Sequence, residues 1–209
     1  AVGLNLCDGH LCALRRESLR IRLADAAAEY EKKRDARERT PSEIAKWPAK
    51  GGYDALKRAA KKQKLQIEHT LKKTEKTVRD LWEIQKWLIL VLYGSHAVRL
   101  DFADVYLEKP SGDTKNYLHR YKRKGWVLTL NVYKTAKFRG ATEIKMSRPA
   151  SLALSVFVPI SKALTSHGKL LSNIKGDALA RNGLSKLLTR LTEKLLGRKG
   201  FSASLIRVL

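Results

Sequence analysis

Two stretches of the chain carry apolar residues at alternating spacings of three and four, which is the period of one face of an α-helix. The first stretch covers about residues 76–93, and Gly94 follows it where a helix can end. The second lies in the region after Arg148–Pro149 and closes at Gly197. Both patterns predict helices that pack in the core. The positions that form the two faces are Val78, Leu81, Trp82, Gln85, Leu88, Ile89 and Leu92, and then Leu184, Leu187, Leu188, Leu191, Leu195 and Leu196.

The N-terminal part has a different pattern. Residues 13–39 contain no Gly or Pro and alternate acidic and basic residues, which is typical of a solvent-exposed helix. The sequence Thr40-Pro41-Ser42-Glu43 then predicts a capped start of a short helix that ends before Pro48. A Lys-rich helix is expected from Asp54 toward His69. We therefore expect an N-terminal helical extension over residues 1–53 and a main domain over residues 54–209.

Residues 117–147 are rich in β-branched and aromatic side chains, which favour strands. The pattern predicts strands over 126–133 and 141–146, joined by a turn at Arg139–Gly140, with a possible third strand over 117–121. The expected fold is therefore α+β and mostly helical, with an antiparallel β-hairpin or three-stranded sheet. Tyr117, Trp126 and Tyr133 are interpreted as packing residues of this sheet, with base stacking as the alternative.

The charge pattern predicts the partner. The 43 Lys and Arg residues exceed the 20 Asp and Glu by 23, and the excess is concentrated in residues 57–79, 109–148 and 149–209. Such segregated basic blocks are typical of surfaces that bind a polyanion. RNA is the favoured ligand and DNA the alternative, and neighbouring proteins of a large assembly are expected partners. No membrane partner is expected, because the longest apolar run, Trp87–Tyr93, is far shorter than a bilayer span.

The candidate nucleic-acid-binding residues are the cations of these blocks, because Lys and Arg neutralise phosphates. They are Lys57, Arg58, Lys61, Lys62, Lys64, Lys72, Lys73, Arg120, Lys122, Arg123, Lys124, Lys134, Lys137, Arg139, Arg198 and Lys199.

No cofactor is expected, and the cysteines supply only a weak candidate for a metal site. Cys7, His10 and Cys12 lie within six residues and could provide three zinc ligands, but no fourth ligand is evident nearby. Two cysteines give no disulfide framework, so an intracellular location is expected. The first residue is Ala1, which suggests a removed transit peptide and favours a mitochondrial location over a nuclear one.

The order of helix, Arg, β-hairpin with Lys, and further helices resembles the catalytic domain of tyrosine recombinases, the phage-type integrases. Trp87–Tyr93 followed by Val98-Arg99-Leu100-Asp101-Phe102 is similar to the apolar helix and first catalytic Arg of the viral and mobile-element branch. Asn131–Lys137 is similar to the hairpin that carries the catalytic Lys. The resemblance covers roughly residues 70–209.

This resemblance implies phosphoryl transfer without a metal ion. Arg99 and Arg207 would hold the scissile phosphate, Lys134 would protonate the leaving oxygen with Lys137 as the reserve candidate, and a Tyr would attack. The alternative roles are a helix-end or ion-paired residue for Arg99 and simple phosphate contacts for the two lysines.

Two departures from the family pattern decide between the hypotheses. Ser204 stands where the family commonly places a His, and no Tyr follows Arg207 before Leu209. We therefore expect no catalysis, with Arg99, Lys134 and Arg207 as a remnant. The favoured hypothesis is a recombinase-derived, non-catalytic RNA-bound component of a large ribonucleoprotein, such as a mitochondrial ribosome. The alternative is a fragment of an active recombinase that cleaves and rejoins DNA.

Overall fold

The structure is a computed structural model, and it describes residues 9–36, 41–46, 52–96 and 98–197. The chain divides into two compact units, residues 1–44 and 45–209. Among the described residues, no helix combines the length and the apolar character needed to cross a bilayer.

The first unit contains the helix expected at the N-terminus. Helix α1 covers Gly9–Asp35, and the side chains of residues 13–32 are exposed. Arg20 forms an ion pair with Glu17 at 3.6 Å on this surface. Helix α2 covers Pro41–Lys46, so the expected helix start at Pro41 is confirmed. The exposed helix with salt bridges that the alternating charges predict is therefore present.

The remaining helices of the described residues lie in the second unit. They are α3 (Gly52–Gln66), α4 (Glu68–Lys72), α5 (Val78–Tyr93), a 3-10 helix (Leu100–Asp104), α6 (Ala136–Arg139), α7 (Arg148–Leu164) and α8 (Arg181–Leu196). The single Lys-rich helix expected from Asp54 to His69 is instead two helices, since the chain breaks at Ile67, whose side chain is buried.

Helix α5 is the centre of the core. It begins at a capping box in which the Thr77 hydroxyl accepts the Asp80 N–H and the Asp80 carboxylate accepts the Thr77 N–H. It ends at Gly94, whose N–H donates to Leu90 O at 2.9 Å. Its apolar face packs against α7 and α3, so the prediction of a core helix is confirmed.

The sheet has four strands, and three of them are antiparallel neighbours as expected. They are β2 (Asn116–Tyr121), β3 (Gly125–Leu130) and β4 (Thr142–Lys145), and β2 pairs with β3 and β3 with β4. The fourth strand, β1 (Val105–Tyr106), pairs in parallel with the start of β2. The three-stranded antiparallel part is thus as predicted, whereas the parallel strand β1 was not predicted, because a two-residue strand has no alternation of its own to detect.

The strand expected over 126–133 also ends earlier, at Leu130. The N–H groups of Asn131 and Val132 donate to the side chain of Asn116 rather than to a neighbouring strand. The turn expected at Arg139–Gly140 is the end of the one-turn helix α6.

The antiparallel register places the two connections of β3 at opposite ends of the sheet. The β2–β3 turn, residues 122–124, lies at one end, and the β3–β4 loop, residues 131–141, lies at the other. Six residues of β3 separate them, which corresponds to about 20 Å. We call these the turn end and the loop end of the sheet.

Candidate nucleic-acid interface

A buried asparagine of β2, Asn116, fixes the start of the β3–β4 loop. The Asn116 side chain is 1% exposed, and its Oδ1 accepts the N–H of Asn131 at 2.9 Å and of Val132 at 2.8 Å. Its Nδ2 donates to Val132 O at 2.9 Å. Three hydrogen bonds from one side chain thus fix where the loop leaves the sheet.

The far side of the loop is fixed by a tyrosine and a glycine. Tyr133 Oη donates to Gly140 O at 2.8 Å and lies 3.1 Å from Thr142 Oγ1. Gly140 has φ +67° and ψ −165°, a conformation that side-chain-bearing residues rarely adopt. Between these points α6 forms one turn, closed by Gly140 N–H donating to Ala136 O at 2.8 Å. The loop therefore has a defined conformation built from its own residues.

Three cations project from this loop. Lys134, Lys137 and Arg139 are exposed, and residues 131–141 contain no acidic residue. Within the described part of the chain, no salt bridge involves any of the three. Their charges are therefore available to an anionic ligand.

The turn end carries a second cluster of exposed cations. Arg120, Lys122, Arg123 and Lys124 are exposed, and the salt bridges of the described residues involve none of them. Gly125 reverses the chain with φ +75°. The end of this turn, like the end of the loop, therefore favours glycine.

The structure adds cations to the turn end that the sequence alone did not single out. Lys162 of α7 and Arg120 line one cavity of about 130 Å³ beside Trp126. Lys145 and Arg148, at the end of β4 and the start of α7, are exposed at the same end of the sheet. The position of Lys145 depends on the pairing of β4 with β3, and that of Lys162 depends on how α7 packs on the sheet, so no signal in the local sequence reveals them.

The third basic surface is one side of α3. Helical spacing places Lys57, Lys61 and Lys64 on one stripe and Arg58 and Lys62 on the next, and all five side chains are exposed. The opposite side of α3 packs in the core. The residues buried there are Leu56, Ala59, Ala60 and Gln63.

Several of the candidate lysines in residues 57–73 already have partners. Lys57 pairs with Asp54 at 3.1 Å, Lys72 pairs with Glu68 at 3.1 Å, and Lys73 pairs with Asp80 at 2.7 Å. Lys73 and the Thr77 N–H lower the pKa of Asp80 to about 2. Lys73 therefore stabilises the start of α5, in addition to being a candidate phosphate contact.

The positions of the recombinase-like residues are only partly described. Arg99 is half-buried directly before the 3-10 helix, and its carbonyl accepts the hydroxyl of Tyr93 at 2.7 Å. Lys134 is exposed on the β3–β4 loop, and Lys137 lies in α6. Arg207, Ser204, Arg198 and Lys199 lie outside the described residues. The described order is thus helix, Arg, sheet, Lys loop and helices.

Arg99 lies near a carboxylate, that of Asp101, which forms an ion pair with a second arginine, Arg181. Asp101, two residues away, is 4% exposed, and burial raises the pKa of its carboxyl while the guanidiniums of Arg181 and Arg99 oppose that rise. Arg181 donates to Asp101 at 3.3 Å and also pairs with Asp104. The ion pair of Asp101 in the described residues is thus formed by Arg181.

The aromatic residues behave mostly as packing residues. Tyr117 and Trp126 are buried, and Trp126 Nε1 donates to Ser155 Oγ of α7 at 3.1 Å. Tyr133 packs partly against the core. The interpretation of Tyr117 and Trp126 as sheet packing is confirmed. The exposed aromatic that sequence reasoning missed is Phe138, in the middle of α6.

The candidate metal residues give no site in the described part of the chain. Cys12 is buried in α1, the side chain of His10 is not described, and Cys7 lies outside the described residues. Among the described residues, no group of three or more His, Cys, Asp or Glu is placed to hold a metal ion.

We find no family model, no curated protein and no solved structure that matches this chain.

Proposed function

We propose that the chain is a non-catalytic nucleic-acid-binding protein that acts as an RNA-bound structural component of a large ribonucleoprotein, such as a mitochondrial ribosome. The observation that carries the proposal is the pair of exposed cationic clusters at the two ends of one sheet. Both are free of salt bridges within the described residues. Each connection has a glycine with positive φ at its end, Gly125 or Gly140, and the loop is also held by the hydrogen bond from Tyr133 to Gly140.

The distance between the clusters suits a polyanion better than a small anion. The turn end and the loop end are about 20 Å apart, which is about six phosphate steps at 3.4 Å per step along one strand. One strand of a helical nucleic acid can contact both ends, whereas a single nucleotide cannot. Contacts to phosphates position a ligand without reading its sequence, so weak sequence preference is expected.

The test is the salt dependence of binding to a duplex and to a folded RNA. For B-DNA each phosphate contact contributes about 0.9 to the slope of log K against log salt concentration, so removing three contacts lowers the slope by up to about 2.7. We expect this for Lys134→Gln/Lys137→Gln/Arg139→Gln and for Lys122→Gln/Arg123→Gln/Lys124→Gln.

A matched control removes the same charge elsewhere. Arg15→Gln/Arg20→Gln/Arg22→Gln takes three charges from the exposed α1 helix and leaves both clusters intact. It should keep the slope of the unmodified protein within experimental error. If the control loses as much slope as the two cluster variants, only net charge matters and the proposed surfaces are wrong.

A separate experiment tests whether the ligand is RNA and whether the protein belongs to an assembly. It identifies the nucleic acid in the native particle that contains the chain. Ribosomal RNA that co-purifies with the tagged protein through a sucrose gradient supports the proposal. A lone protein that carries DNA contradicts it.

The second candidate is a fragment of a tyrosine recombinase, and the observation in its favour is the order α5, Arg99, sheet, Lys134 loop and helices. A recombinase needs a nucleophile as well as cations around the phosphate. We expect the 209-residue chain to form no covalent adduct with a nicked, labelled duplex. A band that survives denaturation and disappears when one Tyr is replaced by Phe would establish the enzyme instead.

A further inference from the structure

Phe138 is the most exposed of the large apolar side chains in the part of the chain that the structure describes, at 88%. It occupies the middle of α6, at the tip of the β3–β4 loop. Exposed apolar residues are common on protein surfaces, so exposure alone assigns no role. The loop around Phe138 supplies two further observations.

The first observation is that the backbone under Phe138 is held on both sides. Its own N–H donates to Thr135 O at 3.1 Å, and the Arg139 N–H donates to the same carbonyl at 3.2 Å. The hydrogen bonds of Tyr133 to Gly140 and of Asn116 to Asn131 and Val132 fix the two ends of the loop. The ring therefore lies on an ordered turn. A ligand that binds to it does not have to order the backbone, so the entropic cost of binding is small.

The second observation is the charge around the ring. Lys137 and Arg139 are the immediate neighbours of Phe138 in the sequence, Lys134 lies four residues before it, and residues 131–141 contain no acidic side chain. A pocket in a protein partner that accepts this tip must have an acidic rim, whereas a nucleic acid offers phosphates and flat apolar bases together. Aromatic rings beside cations are the arrangement with which proteins stack on unpaired bases while holding the adjoining phosphates.

We propose that Phe138 is a stacking residue for an unpaired base of the bound nucleic acid, with Lys134, Lys137 and Arg139 on the adjoining phosphates. This proposal rests on the proposed function and specifies its ligand as a nucleic acid with a bulged or single-stranded nucleotide. A fully paired stem lacks an accessible base face at this point, so Phe138 discriminates in favour of the unpaired site.

The experiment compares two RNA hairpins that differ only in one bulged 2-aminopurine nucleotide. Loss of one base–aromatic stack weakens binding between about 5-fold and about 150-fold. We expect Phe138→Ala to lose this much on the bulged hairpin and less than about 2-fold on the paired one. The slope of log K against log salt should not change, since no cation is removed.

Two further variants separate stacking from simple apolar contact. Phe138→Leu keeps apolar bulk but has no aromatic face, so it should bind as weakly as Phe138→Ala. Phe138→Trp should keep the affinity and quench the 2-aminopurine fluorescence on binding. Ile174→Ala is the matched control, because Ile174 is also an exposed apolar residue, at 58%, and lies outside the loop.

The outcomes distinguish this inference from the function on which it rests. If the unmodified protein binds neither hairpin at low salt, the nucleic-acid function itself fails. If it binds both hairpins and Phe138→Ala binds them as tightly as the unmodified protein, the function stands and the stacking role is overturned. If Phe138→Leu binds the bulged hairpin as tightly as the unmodified protein does, the contact is apolar burial and the stacking role is likewise overturned.

Discussion

Replacing Asn116 with Ala tests whether the β3–β4 loop depends on one buried side chain. The substitution removes three hydrogen bonds, from Asn131 N, from Val132 N and to Val132 O. A hydrogen bond contributes about 1 kcal/mol net, so the expected loss in free energy of unfolding is about 3 kcal/mol.

The loss is measurable by urea denaturation at 25 °C and by thermal unfolding. For a chain of this size 1 kcal/mol corresponds to about 2–4 °C, so the melting temperature should fall by about 6–12 °C. Asn131→Ala is the control, because its Nδ2 bonds to Gly112 O and Lys115 O lie at the surface where water replaces them. It should cost about 1 kcal/mol.

The same variant reports on function. Asn116→Ala should reduce nucleic-acid affinity at temperatures where the rest of the fold is intact, since it loosens the loop that carries the cations. A loss of stability below about 1 kcal/mol with an unchanged urea dependence would refute the view that Asn116 anchors the loop.

Two other predictions concern the interior. His96 and His167 each accept a main-chain N–H on a ring nitrogen, at 3.0 and 2.9 Å, and burial lowers the pKa of both rings. Their contribution to stability is therefore complete above the usual pKa of 6.5 and is lost as the pH falls below it. The urea concentration at the unfolding midpoint should stay constant from pH 8 to pH 7 and fall toward pH 5. In His96→Gln this fall should be smaller than in the unmodified protein, because one of the two histidines has been removed. Gln85→Leu leaves Ser172 N and Ser172 O buried without their 2.8 Å partners, so we expect a loss of about 2–6 kcal/mol in urea denaturation, and a loss below 1 kcal/mol would contradict this assignment.

The elements that the sequence predicts well are those that their own residues determine. Helix α5 has an apolar face at helical spacing, a Thr77–Asp80 capping box and a terminal Gly94, and all of these signals lie within 18 residues. Helix α8 is similar, since Gly197 ends it with φ +67°. Such elements need no knowledge of distant partners.

The elements that the sequence does not predict depend on distant contacts. Strand β3 ends at Leu130 because Asn116, fifteen residues before Asn131, accepts the next two N–H groups. Strand β1 exists because Val105 lies beside Asn116. Neither fact has a local signature, since β-branched Val132 and aromatic Tyr133 continue the strand pattern.

The candidate surface shows the same division. The basic blocks are visible in the sequence, because the number of charges in a segment does not depend on how the chain folds. Their arrangement is not visible, since residues 120–139 read as one basic hairpin while the register separates Lys122–Lys124 from Lys134–Arg139 by the length of β3. Likewise Lys162 joins Arg120 only because α7 packs on the sheet.

The edges of the sheet restrict how this protein can associate. A free edge invites a strand from another chain, because its main-chain N–H and C=O groups are unpaired. Here one outer strand, β1, has only two residues, and its outer side is already paired, since the Leu170 N–H donates to Val105 O and the Leu107 N–H donates to Gly168 O, both at 2.8 Å. The other, β4, has four residues with Glu143 and Lys145 exposed. Short, charged edges discourage strand addition and stacking into fibrils. A concentrated preparation should therefore resist amyloid formation, and partners should approach through the loops at the ends of the sheet rather than along its sides.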